Sequence, residues 1–223
     1  MFRAGFVATI PIWLGAMPFG ALYAVSARAA GLDAWQTLAM SLLVFAGASQ
    51  FTAAGLFAAA ASPITIILTT LVVNIRHLLL SASIAPHLRQ ASTPLRALLG
   101  FQLTDESYAV GMRRFANHAG DPAYQLGANM SLYLAWQSST LAGIFLGALI
   151  TDPVALGLDL VFPLTFIALL PPLVRGRARQ GAALVSALLT IGVALVLPGS
   201  WYLLIATLGA CAVGVLLERR GAR

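Results

Sequence analysis

Lysine is absent from this 223-residue sequence, cysteine occurs once, and acidic side chains number only seven. With 9% charged and 60% hydrophobic residues, there is too little polar surface for a soluble globule. The lone Cys211 lies in a late apolar run, which excludes an intrachain disulfide framework. The net charge of +6 comes from arginines in short connections between apolar runs, without the basic face and interleaved aromatics that nucleic acid requires. Strand-like alternation is missing, which excludes a membrane β-barrel. No HExxH, GxSxG or Walker A pattern occurs, which removes the common zinc-protease, serine-hydrolase and ATP-driven readings and implies neither metal nor cofactor.

What remains is a series of continuous apolar runs near the length of a bilayer crossing, so the fold class is all-α, a polytopic membrane protein. About seven transmembrane helices are predicted, at 5–28, 37–61, 63–86, 128–150, 158–174, 182–197 and from Trp201 to just before Glu218. Arg3, an apolar run and the small residues 24–30 imitate a secretory signal. Pro11, Gly15, Pro18 and Gly20 interrupt that run, and the rest of the chain is membrane-embedded, so an uncleaved first helix is expected. Its stretch PIWLGAMPFG should be kinked or locally unwound, because proline removes a backbone donor and clashes with the preceding turn.

Polar groups at membrane depth mark the candidate site. Phe45 to Thr52, FAGASQFT, places Ser49 and Gln50 near the middle of the second span, where an amide needs a partner other than lipid. Close helix packing with Gln50 as interhelical glue is the competing explanation. In the third span the apolar stretch before the first charge is too short to cross alone, so Asn74, Arg76 and His77 must lie inside it. A central arginine costs at least ~2.5 to 3.5 kcal/mol, which argues for a buried counter-charge unless the side chain snorkels. Asp33, Asp152 and Asp159 sit at span ends and Glu218 in the tail, leaving Asp105 or Glu106 as the best-placed partner of Arg76. Those two acids centre a segment, 95–112, read as an amphipathic or re-entrant helix lining a cavity, with a full crossing as the alternative. A further polar belt, Trp136 to Thr140, lies in the fourth span.

Arginine placement orients the chain. The clusters 175–179 and 219–223 should be cytoplasmic, and Arg113, Arg114, Arg89 and Arg96 join them if 95–112 does not cross. That arithmetic puts the N-terminus outside, with Arg3 on the unfavoured side. An echo of Gly20-Ala21-Leu22 and Gly31-Leu32-Asp33 in Gly147-Ala148-Leu149 and Gly157-Leu158-Asp159 suggests two repeats, 5–86 and 128–217, joined by 87–127 within one transporter domain. Starting an odd number of crossings apart, they would be inverted.

Read in order, Pro18-Phe19-Gly20, Phe45 to Phe51, Asn74-Ile75-Arg76-His77-Leu78, Leu103-Thr104-Asp105-Glu106 and Gly157 to Leu170 resemble the AzlC-like branched-chain amino acid permeases, over nearly the whole chain. The resemblance implies a secondary transporter, an exporter of valine, isoleucine, leucine and sometimes methionine, in the cytoplasmic membrane, working with a small hydrophobic AzlD-like subunit. It carries over no ligand contacts. From polarity alone, Ser49, Gln50, Asn74, Arg76, Asp105 and Glu106 are the substrate-binding candidates: Arg76 or freed helix amides for a carboxylate, Asp105 or Glu106 for an ammonium. Phe45, Phe51, Phe162 and Phe166 are candidate apolar walls. His77, Asp105 and Glu106 are candidates for proton coupling. Another small metabolite, an ion channel, or an intramembrane enzyme using the acids or Ser49 with His77 are the competing functions.

Overall fold

A computed structural model describes residues 1–149, 174, 176–196 and 201–221, in two compact units spanning 1–159 and 160–223. The first unit holds α1 (Phe2–Ala29), α2 (Ala34–Val44), α3 (Gly47–Ala58), α4 (Pro63–Asn74), α5 (Arg76–Ile84), a 3-10 turn (Ala85–Leu88), α6 (Thr93–Phe101), α7 (Asp105–Phe115) and α8 (Pro122–Leu149). The second holds α9 (Arg177–Val196) and α10 (Trp201–Gly221). All described regular structure is helical, as composition required. Polar caps set several starts: Asp33 accepts from the Gln36 amide, Ser62 precedes Pro63 at the first helical position, and Asp121 accepts from the Ala123 and Tyr124 amides.

The first unit is built on α1 and α8, which lie against each other through glycines. A Cβ on Gly5 would fall 1.9 Å from the Tyr124 carbonyl oxygen, and one on Gly127 would fall 2.0 Å from that of Phe2. Further along, Gly20 meets Ser139 and Gly143 meets Ala21 and Ala24. Low residue numbers in one helix face low numbers in the other, so the two run parallel. The expected unwinding of α1 does not occur: Pro11 and Pro18 stand inside one helix from Phe2 to Ala29. Close packing on α8 along its length supports the backbone that the prolines weaken.

The unwinding falls in the expected second span instead. At its middle, Phe45 adopts a left-handed conformation (φ 41°, ψ 48°) and Ala46 is extended, so α2 and α3 are separate helices. Contacts trace a reversal. Thr37 is held by the Tyr23 hydroxyl (2.9 Å), Ser41 by Thr140 (3.0 Å), Leu42 by the Tyr133 hydroxyl (3.2 Å), and the Phe45 ring packs edge-on against Tyr133 at 4.7 Å. So α2 runs down α8 from residue 140 to residue 133. On the way back Gly47 abuts Trp136, Phe51 meets Tyr23 at 5.9 Å, and Phe57 reaches Gly31. Thus α3 ends beside the start of α2. Residues 37–61 form a re-entrant hairpin, hairpin 1, rather than a crossing.

The stretch Pro63–Leu88 is long and apolar enough to cross, and it joins the two ends of the α1–α8 pair. It ends with His87 stacked on Phe115 at 5.3 Å. A second reversal follows. Along α6 the chain climbs to Leu99, whose carbonyl accepts from Asn129 (3.0 Å), and to Phe101, 6.5 Å from the Tyr133 ring. Along α7 it descends from Ser107, whose carbonyl accepts from Gln125 (3.1 Å), to Phe115 against Tyr124 at 6.3 Å. The segment read as one amphipathic or re-entrant helix is therefore two helices forming hairpin 2, which enters from the opposite end. Ile84, Leu88, Leu99, Leu103, Val110, Phe115, Tyr124 and Ala128 form the apolar core beneath it.

Two expectations change as a result. Arg114 reaches the Met1 sulfur at 3.6 Å and the Tyr124 ring at 4.7 Å, so the N-terminus lies at the same end as Arg113 and Arg114, not opposite. With hairpin 1 removed from the count of crossings, Arg3 joins the arginine-rich end. Because α1 and α8 are parallel, repeats starting at each would not be inverted. In the second unit α9 and α10 pair antiparallel, Gly181 facing Leu217 and Gly209 facing Leu189. The predicted fifth span, with Pro163, Phe162 and Phe166, and the Asp152 to Asp159 connection lie outside the described residues.

Candidate functional site

One face of α8 organises both hairpins. Gln125, Asn129, Tyr133, Gln137 and Thr140 recur at four, four, four and three residues, which stacks them on one side of a helix. Gln125 and Asn129 share a 2.8 Å hydrogen bond and hold the backbone of hairpin 2. Tyr133, Gln137 and Thr140 hold hairpin 1, with Gln137 donating to the Ser41 carbonyl at 3.0 Å. Backbone breaks in a membrane survive only where such partners take the freed carbonyls. Sequence reasoning noticed the belt from Trp136 to Thr140 and missed Gln125, Asn129 and Tyr133. Their regular four-residue spacing was the available signal.

At the tip of hairpin 1, α3 begins without a side-chain cap. The amides of Gly47, Ala48 and Ser49 have no acceptor among the described residues. Ser49 is buried, and its hydroxyl turns to the Ala46 carbonyl (2.9 Å). Gln50 is fully buried. Its amide lies beside the Tyr23 phenol, yet neither the oxygen nor the nitrogen makes a hydrogen bond of ordinary geometry. The phenol gives its own proton to Thr37. Tyr23 also stacks on Trp136 at 6.4 Å, and the Trp136 indole nitrogen is buried without a partner. The predicted walls divide: Phe45 sits on Tyr133 and Phe51 on Tyr23.

Hairpin 2 has a different tip. Thr104 caps α7 reciprocally with Ser107, and Asp105 and Glu106 occupy the first turn, where acids favour the positive helix end. Asp105 forms an ion pair with Arg76, near the middle of Pro63–Leu88. This is the pairing that the cost of a central arginine demanded. The two side chains remain 42% and 47% exposed, so this pair is not sealed within the described residues. Asn74 ends α4, its side-chain oxygen and the Arg76 Nε buried without partners, and His77 Nδ1 lies 3.1 Å from the Asn74 carbonyl oxygen. Glu106 is exposed and makes no ion pair among the described residues.

The candidate residues thus form two sets, Ser49 and Gln50 at one tip and Asn74, Arg76, His77, Asp105 and Glu106 at the other. No described hydrogen bond or ion pair joins them. Tyr133 touches both hairpins, through Phe45 and Phe101. No group of three or more metal-binding side chains occurs among the described residues.

Residues 11–150, which include both hairpins and α8, match the family model described as AzlC protein. The chain belongs to the AzlC family. It is 33% identical to an uncharacterized membrane protein of Archaeoglobus fulgidus over 82% of this chain and 80% of that one. It is 25% identical to the branched-chain amino acid transport protein AzlC of Bacillus subtilis, over 98% and 85% of the two chains. It is also 27% identical to the inner membrane protein YgaZ of Escherichia coli, over 66% and 61%. No solved structure matches the chain. Family and helix composition together make this AzlC-family protein a membrane protein.

Proposed function

We propose that this AzlC-family protein is a secondary transporter of valine, leucine, isoleucine and methionine, exporting them across the inner membrane with a small hydrophobic AzlD-like subunit. It is a transporter and not an enzyme. The observation that carries the reading is the pair of hairpins entering from opposite ends, with both tips resting on Tyr133. Broken helices that end near the midplane provide the polar backbone a solute needs there, and hairpins from opposite sides can gate a central site alternately. The names of the Bacillus subtilis and Escherichia coli relatives support the substrate class and the inner membrane.

In this reading Ser49 and Gln50 contact substrate at one tip, and Asn74, Arg76, Asp105 and Glu106 at the other. Asp105 is neutralised by Arg76, which leaves Glu106 to meet the substrate ammonium. His77, Asp105 and Glu106 carry the coupled proton, since a group whose surroundings change between inward and outward states exchanges it. The arginine-rich end, with Arg3, Arg113 and Arg114, faces the cytoplasm. The test is intracellular accumulation of a panel of amino acids after dipeptide feeding, with and without this protein and its small partner. Lower pools of the four named amino acids are expected only when both are present. Unchanged pools of these four would overturn the substrate assignment.

A further inference from the structure

Residues 2–58 and 63–115 repeat one arrangement. In each, a long helix, Phe2–Ala29 or Pro63–Leu88, is followed by four connecting residues, a short helix, a break and a returning helix. The returning helices α3 and α7 have 12 and 11 residues, and the residue before each, Ala46 or Thr104, is extended. Their first turns match. The third residue of each is a fully buried serine whose hydroxyl donates to the carbonyl of that extended residue, Ser49 at 2.9 Å and Ser107 at 3.3 Å. The fourth residue reaches a hydroxyl late in the preceding long helix. Gln50 lies beside Tyr23, the 22nd residue of α1, and Tyr108 meets Ser83, the 21st residue of Pro63–Leu88, at 2.8 Å. The hairpins enter from opposite ends, so the two copies are related by inversion.

The copies differ at equivalent places. Tyr23 and Gln50 are fully buried, whereas Ser83 is exposed and Tyr108 half-buried. The long helices differ too: α1 is continuous, and Pro63–Leu88 is interrupted at Ile75, whose amide turns to the Val72 carbonyl while His77 Nδ1 meets the Asn74 carbonyl oxygen at 3.1 Å. Counted from the helix starts, Ile75 stands where Leu14 stands in α1. Pro18 deprives the Leu14 carbonyl of its intrahelical donor, Leu14 is exposed, and Gly15 beside it has open space around it. The unbroken helix thus carries its weak step at the place where the other is broken. We infer that 2–58 and 63–115 are inverted copies of one gate held in two conformations, and that the protein's second state exchanges them, which rests on the transporter reading. In that state α1 bends between Leu14 and Pro18 and frees Gln50 from Tyr23, while Pro63–Leu88 straightens at Ile75 and hairpin 2 closes. The exchange leaves one interrupted long helix in either state, so a small free-energy bias sets the balance between them.

The test reads cysteine reactivity toward N-ethylmaleimide, a membrane-permeant reagent, on the purified full chain in proteoliposomes. The reporters Gln50→Cys and Tyr108→Cys are made separately in a Cys211→Ser background. Adding Pro18→Ala restores a donor to the Leu14 carbonyl and holds α1 straight. The Gln50→Cys rate should then fall about tenfold or more, while Tyr108→Cys stays reactive. Adding His77→Leu removes the group that meets the Asn74 carbonyl at the break, so Gln50→Cys should react faster and Tyr108→Cys more slowly. Hydrogen exchange on the Cys211→Ser protein without reporters gives a second reading: Pro18→Ala should slow exchange in residues 45–50, and His77→Leu should speed it. Rates at residue 50 that neither variant changes, or reporters that rise or fall together, would overturn the exchange. The labelling needs no solute. Reciprocal labelling with unchanged amino-acid pools would therefore keep the gate and overturn the substrate assignment instead.

Discussion

Hairpin 1 and hairpin 2 are mirror devices with opposite chemistry. Each sends a short helix into the bundle, turns, and returns, and each is held by the same face of α8. At hairpin 1 the returning helix α3 starts bare, with glycine, alanine and a buried neutral amide. At hairpin 2 the returning helix α7 starts with a reciprocal cap and two acids, one of them in contact with Arg76. One tip offers donors, the other carboxylates.

The comparison breaks most completely if hairpin 1 is a crossing. In a Cys211→Ser background, cysteines at Ala34 and Ala59 should react with an impermeant thiol reagent from the same face of the membrane, and a cysteine at Asn117 from the opposite face. Reaction of the first two from different faces would mean that 37–61 spans. Next in size is the charge at hairpin 2. Arg76→Gln strands Asp105 at a cost of ~2.5 to 3.5 kcal/mol and should lower membrane abundance sharply. Adding Asp105→Asn should recover abundance but not transport, measured by quantitative blotting beside amino-acid pools. Normal transport by Arg76→Gln alone would remove the pair from the site.

Removing the supports on α8 should have intermediate effects. Asn129→Leu leaves the Leu99 carbonyl unpaired, and Gln137→Leu does the same to Ser41, each costing about 1 to 3 kcal/mol in thermal stability. Hydrogen exchange should separate the two, with Asn129→Leu loosening residues 93–115 and Gln137→Leu loosening 34–58. Matching exchange patterns would show that α8 does not hold the hairpins independently. The smallest change is Tyr133→Phe, which removes one hydrogen bond to Leu42 and keeps both ring contacts. A loss of about 0.5 to 1.5 kcal/mol is expected, with exchange increased in hairpin 1 only.

Much of the site was readable from composition. Burying Arg76 at membrane depth demanded a counter-charge, and with so few acids available the choice fell on Asp105 or Glu106; the structure selects Asp105. Gln50 was readable as an amide that could not face lipid, and it is fully buried. Hydrophobic length misled in one place and proline placement in another. Residues 37–61 are long enough to cross, yet length cannot separate one straight helix from two half-helices folded together. Pro11 and Pro18 mark the usual place for a break, but the glycine contacts with α8 keep α1 continuous. The ladder of Gln125, Asn129 and Tyr133 was visible as spacing, but its role depends on backbone breaks in other helices.

By itself the sequence determined the membrane environment, the helical class, the family and the electrostatic need to pair Arg76, because these follow from transfer costs and residue order. Tertiary structure decided which apolar runs cross and which turn back, where the N-terminus lies relative to Arg113 and Arg114, and which polar groups share a tip. The reason is physical: a break at mid-depth is unfavourable in an isolated helix and becomes stable only when a neighbour, here α8, supplies hydrogen bonds to the carbonyls it frees.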